Sequence, residues 1–186
     1  MSKKKILIIL SIVVILFTSI LIEKKTIHKL IYTKKYSEYV IKYSKEFDLD
    51  ENLVHSVIKA ESKFKPDAVS HKGAKGLMQI SDITRDWAKE ELALDDVDVF
   101  NPEINIRIGC WYLNKLYKEF GKLDLVIAAY NGGSGNVKKW LNNNEYSKDG
   151  EKLHNIPFEE TSNYVEKVKK NYINYNKLYG KKGTNQ

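Results

Sequence analysis

Cysteine is almost absent: Cys110 stands alone in 186 residues, so no intramolecular disulfide can form and no thiolate cluster exists for zinc or iron–sulfur chemistry. Three prolines and ten glycines exclude collagen-like and proline-rich classes. The four histidines, His28, His55, His71 and His154, share no metal-ligand spacing, so neither a metal nor a cofactor is expected. Arginine is scarce as well. Arg85 and Arg107 face 29 lysines, which leaves few planar forks for bidentate phosphate recognition.

The formal charge of +7 is unevenly placed. Residues 1–35 carry eight lysines and one acid, Glu23, while the remaining 23 basic and 23 acidic residues cancel. A neutral folded part argues against nucleic acid as a partner. The basic arm brackets Ile6 to Ile22, a run of 17 uncharged residues broken by Ser11, Thr18 and Ser19. As a helix it would span roughly 25 Å, near the lower limit for a hydrocarbon core of about 30 Å, with lysines snorkelling at both ends. It ends Ser19-Ile20-Leu21-Ile22-Glu23-Lys24, without the small-residue signature of a cleaved signal peptide. The expectation is a cytoplasmic tip, an uncleaved transmembrane anchor at about 6–22 and a polar linker to residue 35. The membrane is thus an expected partner. Lysines on the two sides of the run do not decide its orientation.

From Tyr36 onward apolar residues recur at three- and four-residue steps, with almost no strand alternation. Tyr36, Tyr39, Val40, Tyr43 and Phe47 form one stripe; Val54, Val57 and Ile58 form a second, behind a capping Asp50. Pro66 and Gly73 to Gly76 mark an irregular connection, and a short helix is expected over 82–90. Asn101-Pro102 pairs a cap with proline at the first helical position, opening a long helix stopped by Gly121. Short helices follow at about 123–130 and 135–142. A final helix carries Tyr164, Val165, Val168, Tyr172, Tyr175 and Tyr179.

Two features point to chemistry. Glu61 continues the stripe of Val54, Val57 and Ile58, where burial would raise its pKa and suit it to general acid work; it is otherwise a solvated residue at a fraying helix end. Tyr130-Asn131-Gly132-Gly133 reads as a turn presenting a phenol and an amide. With Gln79 these suit a sugar, whose rings stack on aromatic faces and whose hydroxyl and acetamido groups bind amides. By default Tyr164 is core. Met78 is either core or cleft lining, and Trp87 and Trp140 are either core or sugar platforms. Cys110 reads as an inert core thiol.

Four pieces in order resemble the catalytic domain of soluble lytic murein transglycosylases, the lysozyme-like enzymes of bacterial cell walls, over about Tyr36 to Tyr179. They are Glu61-Ser62 running to Ser70 and on through Gly73-Ala74-Lys75-Gly76-Leu77-Met78-Gln79-Ile80; Phe100-Asn101-Pro102 with Gly109 and Tyr112-Leu113; Ala129-Tyr130-Asn131 with Gly135-Asn136-Val137; and Ile156-Pro157 with Glu160-Thr161 and Tyr164-Val165. The resemblance implies an all-α, lysozyme-like transglycosylase domain at 36–180, behind the transmembrane helix and before a flexible tail at 181–186. Glu61 is then the sole catalytic carboxylate. Ser70, Met78 and Gln79 line sugar subsites, Tyr130 and Asn131 shape the cleft and hold substrate, Tyr164 lies near the acid, and Gly76 and Gly132 put backbone near substrate. Asp82, where the family often has proline, and Gly132-Gly133-Ser134-Gly135, where it often has Ala-Gly-Pro-Gly, depart from the pattern and loosen loop backbone.

The implied partner is the peptidoglycan glycan strand, and the implied product is a 1,6-anhydromuramyl end formed without added water. The residues themselves support acid catalysis with no evident second carboxylate, Asp67, Asp82 and Asp86 reading as surface groups. A hydrolytic lysozyme of the same fold stays open, as does an inactive peptidoglycan-binding envelope protein. So does an accessory role in cell-envelope machinery. A monomer is expected, held at the cell membrane by a single pass with its catalytic domain outside the cytoplasm.

Overall fold

The structure, a computed structural model, describes residues 3–95 and 97–180; at residues 3, 5–9, 11, 12, 14, 20, 21, 24 and 25 it describes the backbone alone. The expected tail at 181–186 and the first two residues of the expected tip lie outside the described residues. The chain divides into two compact units, residues 1–34 and 35–186.

The first unit is one helix, α1 (Lys3–Ile31). Here the anchor expectation is corrected. No helix among the described residues is long and apolar enough to cross a membrane. The uncharged run of 17 residues falls short of the roughly 20 that a span requires, and α1 continues through Glu23, Lys24 and Lys25 without a break. The predicted transmembrane signal-anchor, the membrane as a partner through this helix, and the single-pass placement that put the catalytic domain outside the cytoplasm are withdrawn with it.

The second unit carries seven helices among its described residues: α2 (Ser37–Glu46), α3 (Glu51–Glu61), α4 (Asp82–Glu91), α5 (Pro102–Phe120), α6 (Leu123–Gly132), α7 (Ser134–Leu141) and α8 (Glu159–Tyr179). Local chemistry sets several of their ends. The Asp50 side chain accepts from the Asn52 amide at 2.6 Å to start α3. Asn101 accepts from the amides of Glu103 and Ile104, with Pro102 behind it, and Gly121 closes α5 in a left-handed conformation at φ 67°.

The most extensive packing is of α3 on α8, followed by α6 on α8 and α5 on both α2 and α6. Val54, Ile58, Ile106, Leu113, Ile127, Val168 and Tyr175 are sealed from solvent between these helices. Cys110 is buried among them, as expected, and burial pushes its thiol pKa well above the usual range.

The segment between α3 and α4 is held by backbone pairing and by one buried side chain. Isolated antiparallel bridges join Val69 to Lys75 and Lys75 to Ile80. Asn105, inaccessible on α5, accepts from the Met78 amide at 2.7 Å and donates to the carbonyls of Lys75 at 3.0 Å and Val99 at 2.7 Å. Gly76 sits over it at φ 78°, where a Cβ would run into the Asn105 amide and the Val99 carbonyl.

One turn differs from expectation. Instead of stopping before Asn131, α6 continues through Asn131 and Gly132 and ends at Gly133, φ 85°. Gly132 packs against Thr161 and Trp140, where a Cβ would come within 3.0 to 3.2 Å of both. Tyr130 and Asn131 therefore occupy the last helical turn and inherit its rigidity.

Replacing Asn105 with alanine would leave the buried Met78 amide and Val99 carbonyl unpartnered, while the Lys75 carbonyl keeps the Ile80 amide. We expect Asn105→Ala to lower the unfolding free energy by about 3 kcal/mol or more, read as a fall in the urea midpoint at unchanged slope.

Candidate active site

Glu61 is the last residue of α3. The helix stops there because Lys63 and Phe64 both take left-handed backbone, φ 53° and 65°. Each such residue costs on the order of 1 kcal/mol, offset here by burial of the Phe64 ring. Glu61 thus stands at a helix end, as the bland alternative held, yet it is half-buried rather than free in solvent. Packing of α8 against α3 brings Tyr164, 7% exposed, onto it, and the Tyr164 hydroxyl donates to Glu61 Oε1 at 2.7 Å. Lys167, one turn further along α8, donates to the Ala60 carbonyl.

Burial pushes the Glu61 pKa from its usual 4.5 up to about 7. The Tyr164 hydrogen bond and the Lys167 charge act the other way, and Glu160 adds a smaller upward push. Both neighbouring phenols, Tyr130 and Tyr164, are held well above their ordinary range, first by burial and then by the Glu61 charge. Either stays a neutral hydroxyl at any pH the fold would meet.

The carboxyl opens on a cavity of about 390 Å³ whose lining includes Ser70, Gln79, Tyr130, Asn131 and Gly132. A second cavity of about 370 Å³ meets Glu61 from the side of Tyr164, Asn163 and Lys167. Inner hydrogen bonds orient the lining groups. The Tyr130 hydroxyl donates to the Met78 carbonyl at 2.9 Å, and Thr161 donates to Asn131 Oδ1 at 2.8 Å. That bond leaves the Asn131 NH₂ as the end available to a ligand. Gln79, itself at φ 52°, spends its NH₂ on the carbonyls of Ala68 and Gly76 and keeps its oxygen as acceptor.

Of the residues singled out in the sequence, Glu61, Ser70, Gln79, Tyr130 and Asn131 come together around one cavity. Met78 does not: its side chain is sealed in the core against Gly109, and only its backbone serves the site. Gly76 is likewise behind the wall, in the turn that Gln79 braces. Tyr164 reaches the carboxyl from the second cavity. Trp140 is core, edge-on to Phe158 with ring centroids 5.0 Å apart.

The structure adds residues that periodicity passed over. Asn105, Thr161 and Lys167 act on the site through other groups. Glu160 lines both cavities and is paired with Lys72 at 2.7 Å, which holds its carboxyl below the usual range. None of Asp67, Asp82 and Asp86 lines the main cavity, so Glu160 is the second carboxylate there among the described residues. Among the same residues no group of three His, Cys, Asp or Glu is placed to hold a metal ion.

The chain thus joins an all-helical, lysozyme-like fold to a glutamic acid of raised pKa on the wall of an open, polar cleft. Residues 38–153 match the model of the transglycosylase SLT domain, and the chain belongs to that family. The soluble lytic murein transglycosylase of Salmonella typhimurium is 33% identical over 150 residues, which make up 77% of this chain and 23% of that protein. Two solved structures are similar. The 70-kDa soluble lytic transglycosylase of Escherichia coli superposes with a TM-score of 0.73 at 27% identity, over 82% of this chain and 26% of that one. An inactive mutant of the lytic transglycosylase Slt of Pseudomonas aeruginosa superposes with a TM-score of 0.71 at 27% identity, over the same shares. The chain spans about a quarter of the length of the curated relatives it matches.

The pKa of Glu61 has a consequence for stability. Below its unfolded value of 4.5 the carboxyl is protonated in both states and carries no charge to bury. As pH rises from there to about 7 the unfolded chain gives up this proton while the folded chain keeps it, so stability falls across that window and levels off above it. Glu61→Gln should match the parent at about pH 4 and be more stable than it at about pH 8, by on the order of 3 kcal/mol at most, measured by urea unfolding at both values.

Proposed function

We propose that this domain cleaves the β-1,4 bond between N-acetylmuramic acid and N-acetylglucosamine in peptidoglycan as a lytic transglycosylase, with Glu61 as acid and then base. The observation that carries the reading is the half-buried Glu61 carboxyl, its pKa near 7, facing a polar cavity with Tyr130, Asn131 and Gln79. The names of its relatives support the same reaction.

In the ground state Glu61 holds a proton. Tyr164 occupies Oε1, so Oε2 is the oxygen that delivers the proton to the glycosidic oxygen as the bond to C1 breaks. The substrate's own acetamido group stabilises the oxocarbenium ion, and the Asn131 NH₂ and Gln79 carbonyl orient that group. Glu61, now ionised, takes the proton of the muramyl 6-hydroxyl as this oxygen closes onto C1. One C–O bond is broken and one is formed, and the proton lent by the acid is returned. A 1,6-anhydro ring results with no water consumed. Neutral Tyr164 donates throughout and stabilises the carboxylate at the intermediate more than the acid at the start.

A second reading rests on Glu160. A protonated and an ionised carboxyl beside one cavity are the acid and base that hydrolysis with water would use. The products separate the two, since a hydrolysed muropeptide carries one water more than the anhydro form.

Digestion of purified peptidoglycan followed by mass analysis is expected to release anhydro ends, and Glu61→Gln to lower the rate at least about 100-fold. Products one water heavier would replace transglycosylation with hydrolysis, and an undiminished Glu61→Gln rate would remove Glu61 from the reaction. Because the acid must start protonated, kcat/KM should fall as pH rises above about 7. Tyr164→Phe removes a bond that lowers the Glu61 pKa, so it should move that alkaline limb to higher pH in a pH–rate profile.

A further inference from the structure

We infer that Trp87 is the stacking platform of an outer sugar subsite that continues the cleft along α4, an inference resting on the glycan-cleaving reading above. Trp111 and Trp140 are 4% and 5% exposed, whereas Trp87 is 41% exposed. The part of the indole left open on the surface is an apolar area that a flat ligand ring can cover.

Its position is continuous with the catalytic cavity. Tyr130 and Tyr112 both line that cavity, their ring centroids 5.4 Å apart, and Trp87 follows Tyr112 at 6.3 Å. Thr84, a third lining residue, precedes Trp87 by three positions on α4, so the two share a helix face one turn apart. The aromatic series thus leads from the wall beside Glu61 out of the cavity and onto α4.

The platform is built rather than loose. Buried Trp111 meets the Trp87 ring edge-on, with centroids at 4.7 Å and an interplanar angle of 75°. Lys115, held by Glu91 at 2.6 Å, sets its ammonium 5.5 Å from the Trp87 centroid. Glu91 also takes the indole N–H, so the ring is fixed, and its open part matches the apolar C–H face of a pyranose ring. The occupant is a hexosamine ring of the same glycan strand, because a polymer overruns a cavity of about 390 Å³ and its next rings must lie on the adjoining surface.

Binding tests this apart from turnover. In a Glu61→Gln background, Trp87→Ala should weaken calorimetric binding of a peptidoglycan octasaccharide about tenfold and leave that of a disaccharide unchanged, with Trp87→Phe recovering most of the loss. In the active enzyme the same substitution should raise KM on long strands without altering kcat. An octasaccharide bound as tightly without the indole would overturn the inference, as would equal loss for both lengths or a urea midpoint that falls in step with affinity. Wild-type protein that binds these oligosaccharides but releases no product would refute the reaction instead, with the length comparison still deciding the platform.

Discussion

Everything in the site depends on one carboxyl being taken out of water by the packing of α3 on α8. Burial raises the Glu61 pKa, whereas in solvent the carboxyl would be ionised at neutral pH. The Tyr164 hydroxyl and the Lys167 charge pull against desolvation, and the balance falls near 7, where proton loss and gain are both cheap. The same interface that stabilises the fold therefore sets the acid's strength. Further along the same seam, buried Asn171 donates to the Ser56 carbonyl and Tyr175 packs on His55.

The opposite wall is constructed differently. Between α3 and α4 the chain has isolated bridges and turn bonds in place of a helix, and Asn105 reaches out of α5 to Lys75 and Met78 there while Gln79 braces Ala68 and Gly76. These bonds hold the turn in which Gln79 takes left-handed backbone, a conformation that is strained for a residue with a Cβ. Rigid polar walls lower the cost of binding any ligand, since the cleft need not be ordered at the moment of binding.

Much of the helical frame was legible in the sequence. Asp50, Asn101-Pro102 and Gly121 mark helix ends through contacts within a few residues, so local pattern located them. Asn131-Gly132-Gly133 misled for the same reason: glycine signals a stop, but the stop falls at Gly133, and Gly132 stays in the helix where a side chain would press on Thr161 and Trp140. Ile6 to Ile22 misled through composition, as an uncharged run suggests a span even where the helix bearing it lacks the required apolar length. Met78 was ambiguous because a thioether in a glycine-rich loop can line a cleft or fill a core, and Gly109 decides for the core.

By itself the sequence determined which residues carry reactive groups and which stretches are helical, because both follow from side-chain chemistry and from contacts three or four positions apart. It named Glu61, Tyr130, Asn131 and Gln79 without their mutual distances. Only the tertiary structure decided that Tyr164 holds the acid, that Glu160 shares its cavity, and that Trp87 is open to solvent while Trp140 is closed. Those facts depend on groups as far as 103 positions apart in the chain, and no periodicity records a separation of that kind.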